Sequence, residues 1–117
     1  MINISISKLK EHNVINELEI DGHANYAEYG EDIVCAAVST LMFTLIASLG
    51  EVLKLSSDKY EYQMDEEKAY IKLVIHIDKI SKRELEDVKL ATSVIITGIK
   101  GAIEDYSDYV RITIREV

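Results

Sequence analysis

The run from Ile33 to Gly50 constrains this chain most: 18 consecutive residues without a charge, in a sequence that is 29% charged overall. A stretch of that length is near the lower limit for a membrane span. Ser39, Thr40, Thr44 and Ser48 interrupt its apolarity, and acidic rather than basic residues flank it. It therefore reads as a buried core helix, roughly Ile33 to Leu53, that also offers surface at a subunit interface. Its apolar residues (Ile33, Val34, Ala36, Ala37, Val38, Leu41, Met42, Phe43, Leu45, Ile46) cover nearly the whole circumference, the pattern of a central helix covered on several sides. No membrane span is expected, and the expected location is the cytoplasm.

Around that helix the pattern switches to period two. Ile2, Ile4 and Ile6 alternate with Asn3, Ser5 and Ser7, which predicts a half-buried strand. A polar turn over Lys8 to Asn13 leads to a second strand, Val14 to Asp21, and the two form an antiparallel hairpin. Asn25 to Glu31 carries no apolar periodicity and reads as a loop bounded by Gly22 and Gly30. A second hairpin is predicted over Lys59 to Met64 and Ala69 to Ile77, turning at Asp65-Glu66-Glu67-Lys68. Ser81-Lys82-Arg83-Glu84 is a capping box, opening a second helix that runs to about Tyr106. Leu85, Val88, Thr92, Ile95, Ile99 and Ala102 give it an apolar stripe. A last strand, Tyr109 to Glu116, turns Val110, Ile112 and Ile114 inward. The order β-β-α-β-β-α-β lacks the repeated βα unit of a parallel doubly wound fold. It predicts a single α+β domain over residues 1–117, with two helices packed on a mostly antiparallel sheet.

The charge balance excludes one class of function. A net charge of −8 leaves no basic face for direct nucleic-acid binding and suits a basic partner instead. One cysteine forms no internal disulfide, so a disulfide-stapled secreted scaffold is excluded. The alternating N-terminus is not a signal peptide.

The chemistry concentrates between Gly22 and Ser39. Cys35 is the only cysteine, and His23 precedes it by 12 residues. Asp32 is a candidate N-cap, which would make Cys35 the third helical residue, inside the first turn where the helix macrodipole acts. That dipole is worth ~0.3–1 kcal/mol at an exposed site, less than one pKa unit at ~1.4 kcal/mol. A reactive thiolate therefore needs a partner, and His23 is the candidate: an imidazolium in reach would favour the thiolate and protonate a leaving amine. Asp32 or Glu31 would orient the imidazole, and Asp32 is claimed by both roles. Free backbone N–H groups at the helix start would hold a developing oxyanion. Ser39, one turn beyond Cys35, is either a core hydroxyl bonded to its own backbone or a support for the site. Tyr26 and Tyr29 in the loop either stack on a substrate or are exposed loop tyrosines with no role, the two readings being equally common. A lone cysteine in an apolar helix is most often a small buried hydrophobe. One Cys and one His lack the ligand pairs of a structural zinc site, so neither metal nor cofactor is expected. His12 and His76 read as structural.

Gly22-His23-Ala24, Glu28-Tyr29-Gly30 and Asp32-Ile33-Val34-Cys35-Ala36, with Ser39, resemble the ribosomal-processing cysteine protease Prp (YsxB-like) family. The specific matches lie within residues 22–39; length and element order agree over the whole chain. The resemblance implies a cytoplasmic, homodimeric endopeptidase of bacteria. Such enzymes remove the N-terminal extension from the precursor of a basic large-subunit ribosomal protein, the twenty-seventh of that series, cutting after an aromatic pair. It implies Cys35 as nucleophile, His23 as general base and acid, and a supporting role for Asp32. Two other readings share these residues. One is a non-catalytic dimeric binding module associated with ribosome assembly, with Cys35 merely packed. The other is a Cys-His thioester or small-amide hydrolase.

Overall fold

The structure, a computed structural model, describes residues 1–22 and 29–117, with side chains given for 1–22 and 33–117. Seven main elements follow one another: β1 (Ile2–Leu9), β2 (Val14–Asp21), α1 (Tyr29–Glu51), β3 (Tyr60–Asp65), β4 (Tyr70–Ile75), α2 (Lys82–Ile103) and β5 (Val110–Glu116). Single 3₁₀ turns lead into β3, α2 and β5. The five strands form one sheet in the order β3-β4-β2-β1-β5. Three of its pairings are antiparallel, and β5 joins β1 in parallel. The expected α+β architecture and element order are what the chain adopts.

Register explains the core. Across the sheet, Ile4 faces Ile20, Ile6 faces Leu18, Leu18 faces Leu73 and Ile20 faces Ile71. Side chains alternate between faces along a strand, so these residues form one apolar surface. All of them are buried, as are Ile2, Val14 and Ile75. The opposite face carries Asn3, Ser5, Ser7, Glu17, Glu19, Asp21, Lys72, Arg111, Thr113 and Arg115 in matching register, and no helix among the described residues covers it. Both helices lie on the apolar face because of how the chain crosses the sheet. The crossovers β2-α1-β3 and β4-α2-β5 start from antiparallel neighbours and move across the sheet in opposite senses. The right-handed rule for such connections then places both helices on the same side. There they pack on each other, and Gly98 admits Leu41: a Cβ at Gly98 would lie 3.2 Å from the Leu41 side chain.

Three expectations need correction. First, α1 is not covered on several sides. Val34, Val38, Met42, Leu45 and Leu49 are buried, but Ile33 and Phe43 remain 39% and 42% exposed, because among the described residues one sheet face and one helix flank meet it. Second, Ile114 does not turn into the core. It stands on an edge strand, beyond the reach of the helix layer, and is exposed. Third, α1 begins at Tyr29, four residues before Ile33, so the loop expected over Asn25 to Glu31 ends sooner and Tyr29 belongs to the helix.

The α2 start is as the capping box predicts. Ser81 Oγ accepts from Glu84 N–H at 3.1 Å, and the Ser81 N–H donates to Glu84 Oε1 at 2.9 Å. Lys59 also donates to both Glu84 oxygens, at 2.8 and 3.0 Å. Those bonds hold the Glu84 carboxyl below its ordinary value, with Lys59 the largest cause and the Ser81 N–H next. Loss of a serine N-cap costs about 1 kcal/mol, so Ser81→Ala should lower chemical-denaturation stability by that amount without changing the denaturant slope.

On the polar face, the Tyr70 hydroxyl donates to Glu19 Oε2 at 2.7 Å. That bond, then burial, then the charges of Glu19, Asp21 and Glu17, push the Tyr70 phenol up to about 12. Because the folded value lies above the unfolded one, this contribution to stability is fully present below pH ~10 and is lost as pH rises through about 12. In a phenolate absorbance titration, one of the seven tyrosines should ionise near 12, and Tyr70→Phe should remove that step.

Candidate active site

Cys35 is the seventh residue of α1 and carries a half-buried free thiol. Three chain segments converge on it. The end of β2 brings Gly22, which is buried, and a Cβ at that position would lie 3.5 Å from Cys35 Sγ. Gly22 N–H donates to the Ala69 carbonyl at 3.0 Å, which fastens the β2 end to the β3–β4 turn. Ala69 Cβ and its carbonyl oxygen each lie 3.6 Å from the same Gly22 position. The sulfur therefore sits close to the end of β2, and a Cβ at position 22 would be in ordinary van der Waals contact with it.

The turn that delivers Ala69 is built locally. Lys68 N–H donates to Asp65 Oδ1 at 3.3 Å, and Ala69 N–H to the Glu66 carbonyl at 3.2 Å. Ala69 then adopts a φ of 49°, the left-handed region, where an L-residue costs roughly 1–2 kcal/mol. Sequence reading passed over Ala69, because glycine or asparagine is the residue that signals such a turn. The backbone bond from Gly22 N–H to the Ala69 carbonyl was also missed. The turn itself was expected at Asp65-Glu66-Glu67-Lys68, but nothing in those residues marked the conformation of Ala69.

Ser39 lies where one helical turn places it, its Oγ 4.0 Å from Cys35 Sγ. Its hydroxyl faces the thiol at the outer limit of a sulfur hydrogen bond. Asp32 is the fourth residue of α1 and therefore lies within the first turn, not at its N-cap. The reason is the earlier helix start. In a helix beginning at Tyr29, the N–H groups without an intrahelical partner belong to residues 29–32. Those of Ile33, Val34 and Cys35 are spent in the helix, so the expected oxyanion donors shift N-terminally by one turn. Cys35 also moves out of the first turn, where the macrodipole is felt, and more of any thiolate stabilisation must come from a neighbouring group. His23 and Tyr26 lie outside the described residues, as do the side chains of Tyr29 and Asp32.

The arrangement presents one nucleophile-type atom, half-exposed, above a strand end and beside a tight turn. Comparison with known proteins gives that geometry its class. The model of the family described as cysteine protease Prp matches residues 1–111. A ribosomal processing cysteine protease Prp of Mycoplasma genitalium is 34% identical over 110 residues, covering 94% of this chain and 92% of that protein. One from Staphylococcus aureus is 24% identical over 112 residues, covering 96% and 97%. Among solved structures, a Streptococcus mutans protein superposes with a TM-score of 0.81 at 31% identity, covering all of this chain and 96% of that one. The S. aureus protease Prp, crystallised with a substrate peptide, gives a TM-score of 0.78 at 21% identity, covering 98% and 100%. With nearly the whole length matched, and its single thiol standing at the meeting point of β2, α1 and the β3–β4 turn, this chain belongs to the cysteine protease Prp family and is a cysteine protease.

Proposed function

We propose that this protein is a cytoplasmic endopeptidase that removes the N-terminal extension of a large-subunit ribosomal protein precursor, using Cys35 and His23 as a catalytic dyad. The observation that supports the reading is the nearness of Gly22 to the thiol: a Cβ built on Gly22 would lie 3.5 Å from Cys35 Sγ. His23 is joined to Gly22 by one peptide bond, so the backbone that bears the imidazole leaves from beside the sulfur. The curated relatives carry the name ribosomal processing cysteine protease. The S. aureus relative was crystallised with a substrate peptide and with a covalently linked product peptide. The net charge of −8 favours a basic ribosomal substrate. Five of the 21 acidic residues, Glu17, Glu19, Asp21, Glu61 and Asp65, stand together on the polar sheet face.

In this reading His23 takes the Cys35 proton, and the thiolate attacks the scissile carbonyl carbon. The tetrahedral oxyanion collapses as the C–N bond breaks, and the imidazolium delivers its proton to the departing amine. A thioester to Cys35 remains. His23 then draws a proton from water, whose oxygen attacks the thioester carbonyl, and the released thiolate recovers its proton. Asp32 supports the imidazole, Ser39 supports the sulfur, and Tyr26 and Tyr29 contact the substrate. Because α1 holds Cys35 beyond its first turn, the imidazole supplies most of the thiolate stabilisation. Cys35→Ala should abolish cleavage of a peptide bearing the ribosomal extension, read by mass. His23→Ala should slow it by about a hundredfold or more while leaving the fold intact by circular dichroism.

The active unit in this proposal is a homodimer. The outer side of the helix layer supports it: Val52, Leu90 and Val94 are 70%, 69% and 61% exposed along a groove of about 410 Å³ between α1 and α2. Three large apolar side chains side by side on one surface mark an association site. Leu90→Glu with Val94→Glu should shift the mass measured by light scattering from dimer to monomer.

A further inference from the structure

Ala69 uses its two backbone groups in different directions. It stands opposite Gly22 in the register that β2 and β4 share, one step beyond the last strand pair, Asp21 with Tyr70. A residue of an extended antiparallel strand that bonds its opposite number turns both its N–H and its C=O toward that partner. Ala69 instead donates its N–H to the Glu66 carbonyl inside the turn, at 3.2 Å, while its C=O accepts from the Gly22 N–H at 3.0 Å. The left-handed φ of 49° is what lets one residue close the turn and extend the ladder together.

Two further residues outside glycine are left-handed among the described residues, Asn13 at 51° and Lys54 at 60°. Asn13 lies in the turn before β2, at the opposite end of that strand from Gly22, and Lys54 follows α1. Asparagine visits this region readily and alanine does not. Strain of this kind persists where the surroundings enforce it, and it gathers at functional positions. Here the enforcing bonds are Lys68 N–H to Asp65 Oδ1 at 3.3 Å and, from the next residue, Tyr70 hydroxyl to Glu19 Oε2 at 2.7 Å. What they support is the end of β2. A Cβ on Gly22 would lie 3.5 Å from Cys35 Sγ and 3.6 Å from both Ala69 Cβ and the Ala69 carbonyl oxygen. Gly22 has no side chain to anchor it, and glycine has the widest backbone freedom of any residue. In an extended or right-handed conformation, Ala69 would swing its carbonyl off the ladder and release that end of the strand.

We infer that Ala69 is a positioning residue of this protease, whose left-handed backbone holds the end of β2 in place beside Cys35. The inference rests on the dyad reading above, in which His23 follows Gly22 by one peptide bond. A misplacement of ~1 Å between reacting groups costs about a hundredfold in rate. Ala69 acts through Gly22 in this role and not on the substrate. Its loss is therefore read in kcat and in thiol reactivity, and not in KM.

Ala69→Val and Ala69→Asn test this, since the two side chains are close in size and asparagine alone of the two tolerates the left-handed region. In Ala69→Val, kcat for the ribosomal extension peptide should fall by about tenfold to a hundredfold with KM unchanged. The Gly22 amide should exchange with solvent faster. Alkylation of Cys35 by iodoacetamide should slow by about tenfold at about pH 6 and stay unchanged at about pH 10, because the thiolate is the reacting form. Ala69→Asn should keep the wild-type values. So should Asn13→Val, which places the same strain at the other end of β2. If Ala69→Val does not fold by circular dichroism, Asp65→Ala decides in its place: it removes the acceptor for Lys68 N–H and should move the same quantities the same way, and Asp65→Asn should restore them. Wild-type kcat and alkylation in the folded valine variant, or in Asp65→Ala, overturn the inference and leave the endopeptidase reading standing. Equal losses in Ala69→Val and Ala69→Asn assign the effect to side-chain size, equal losses in Asn13→Val assign it to general destabilisation, and either overturns it. Failure of the unmodified protein to cleave the peptide removes the endopeptidase reading, and the alkylation and exchange comparisons then decide this one.

Discussion

One backbone hydrogen bond, from Gly22 N–H to the Ala69 carbonyl, ties the working end of this molecule together. It joins the exit of a central strand to the turn of the outer hairpin, and Cys35 rests against the join. Neither partner uses a side chain to make it. The bond needs only that β2 and β4 be in register, which the buried pairs Leu18–Leu73 and Ile20–Ile71 secure by hydrophobic burial. The position of the nucleophile is thus inherited from the sheet core. The strained φ of Ala69 is sustained because the surrounding hairpin and strand leave that carbonyl one direction to point.

The single helix layer governs what is left uncovered. With both helices on one face, the other face is a polar lattice in which acidic β2 lies between the lysine of β4 and, one strand further, the arginines of β5. The helix layer in turn keeps an apolar outer surface, since no second sheet or helix closes over it. The long uncharged run is then explained twice over. One side of α1 packs on the sheet, and another part of its surface stays exposed along the groove it forms with α2.

Period-two alternation in Ile2, Ile4 and Ile6, the two hairpins, and the Ser81–Glu84 box were legible because each is a local signal whose chemistry is complete within a few residues. The parallel placement of β5 beside β1 was not, since pairing between chain ends leaves no mark in either segment alone. The exposure of Ile114 follows from that placement, so its alternation predicted the strand but not its burial. At the site, Cys35 and Ser39 stood out by residue type and spacing. The start of α1 did not, because Tyr29-Gly30-Glu31-Asp32 has no apolar periodicity and a glycine that ordinarily argues for a loop. Gly22 and Ala69 act through their backbones, and backbone roles are the hardest to see in a sequence.

The position of β3 at the edge of the sheet carries a liability. An edge strand presents backbone groups that can pair with another copy of itself, the first step toward ordered aggregation. Glu61 and Asp65 on that strand, and the net charge of −8, oppose such stacking by mutual repulsion. Neutralising those carboxylates would lower the barrier between a protein in solution and a growing fibril.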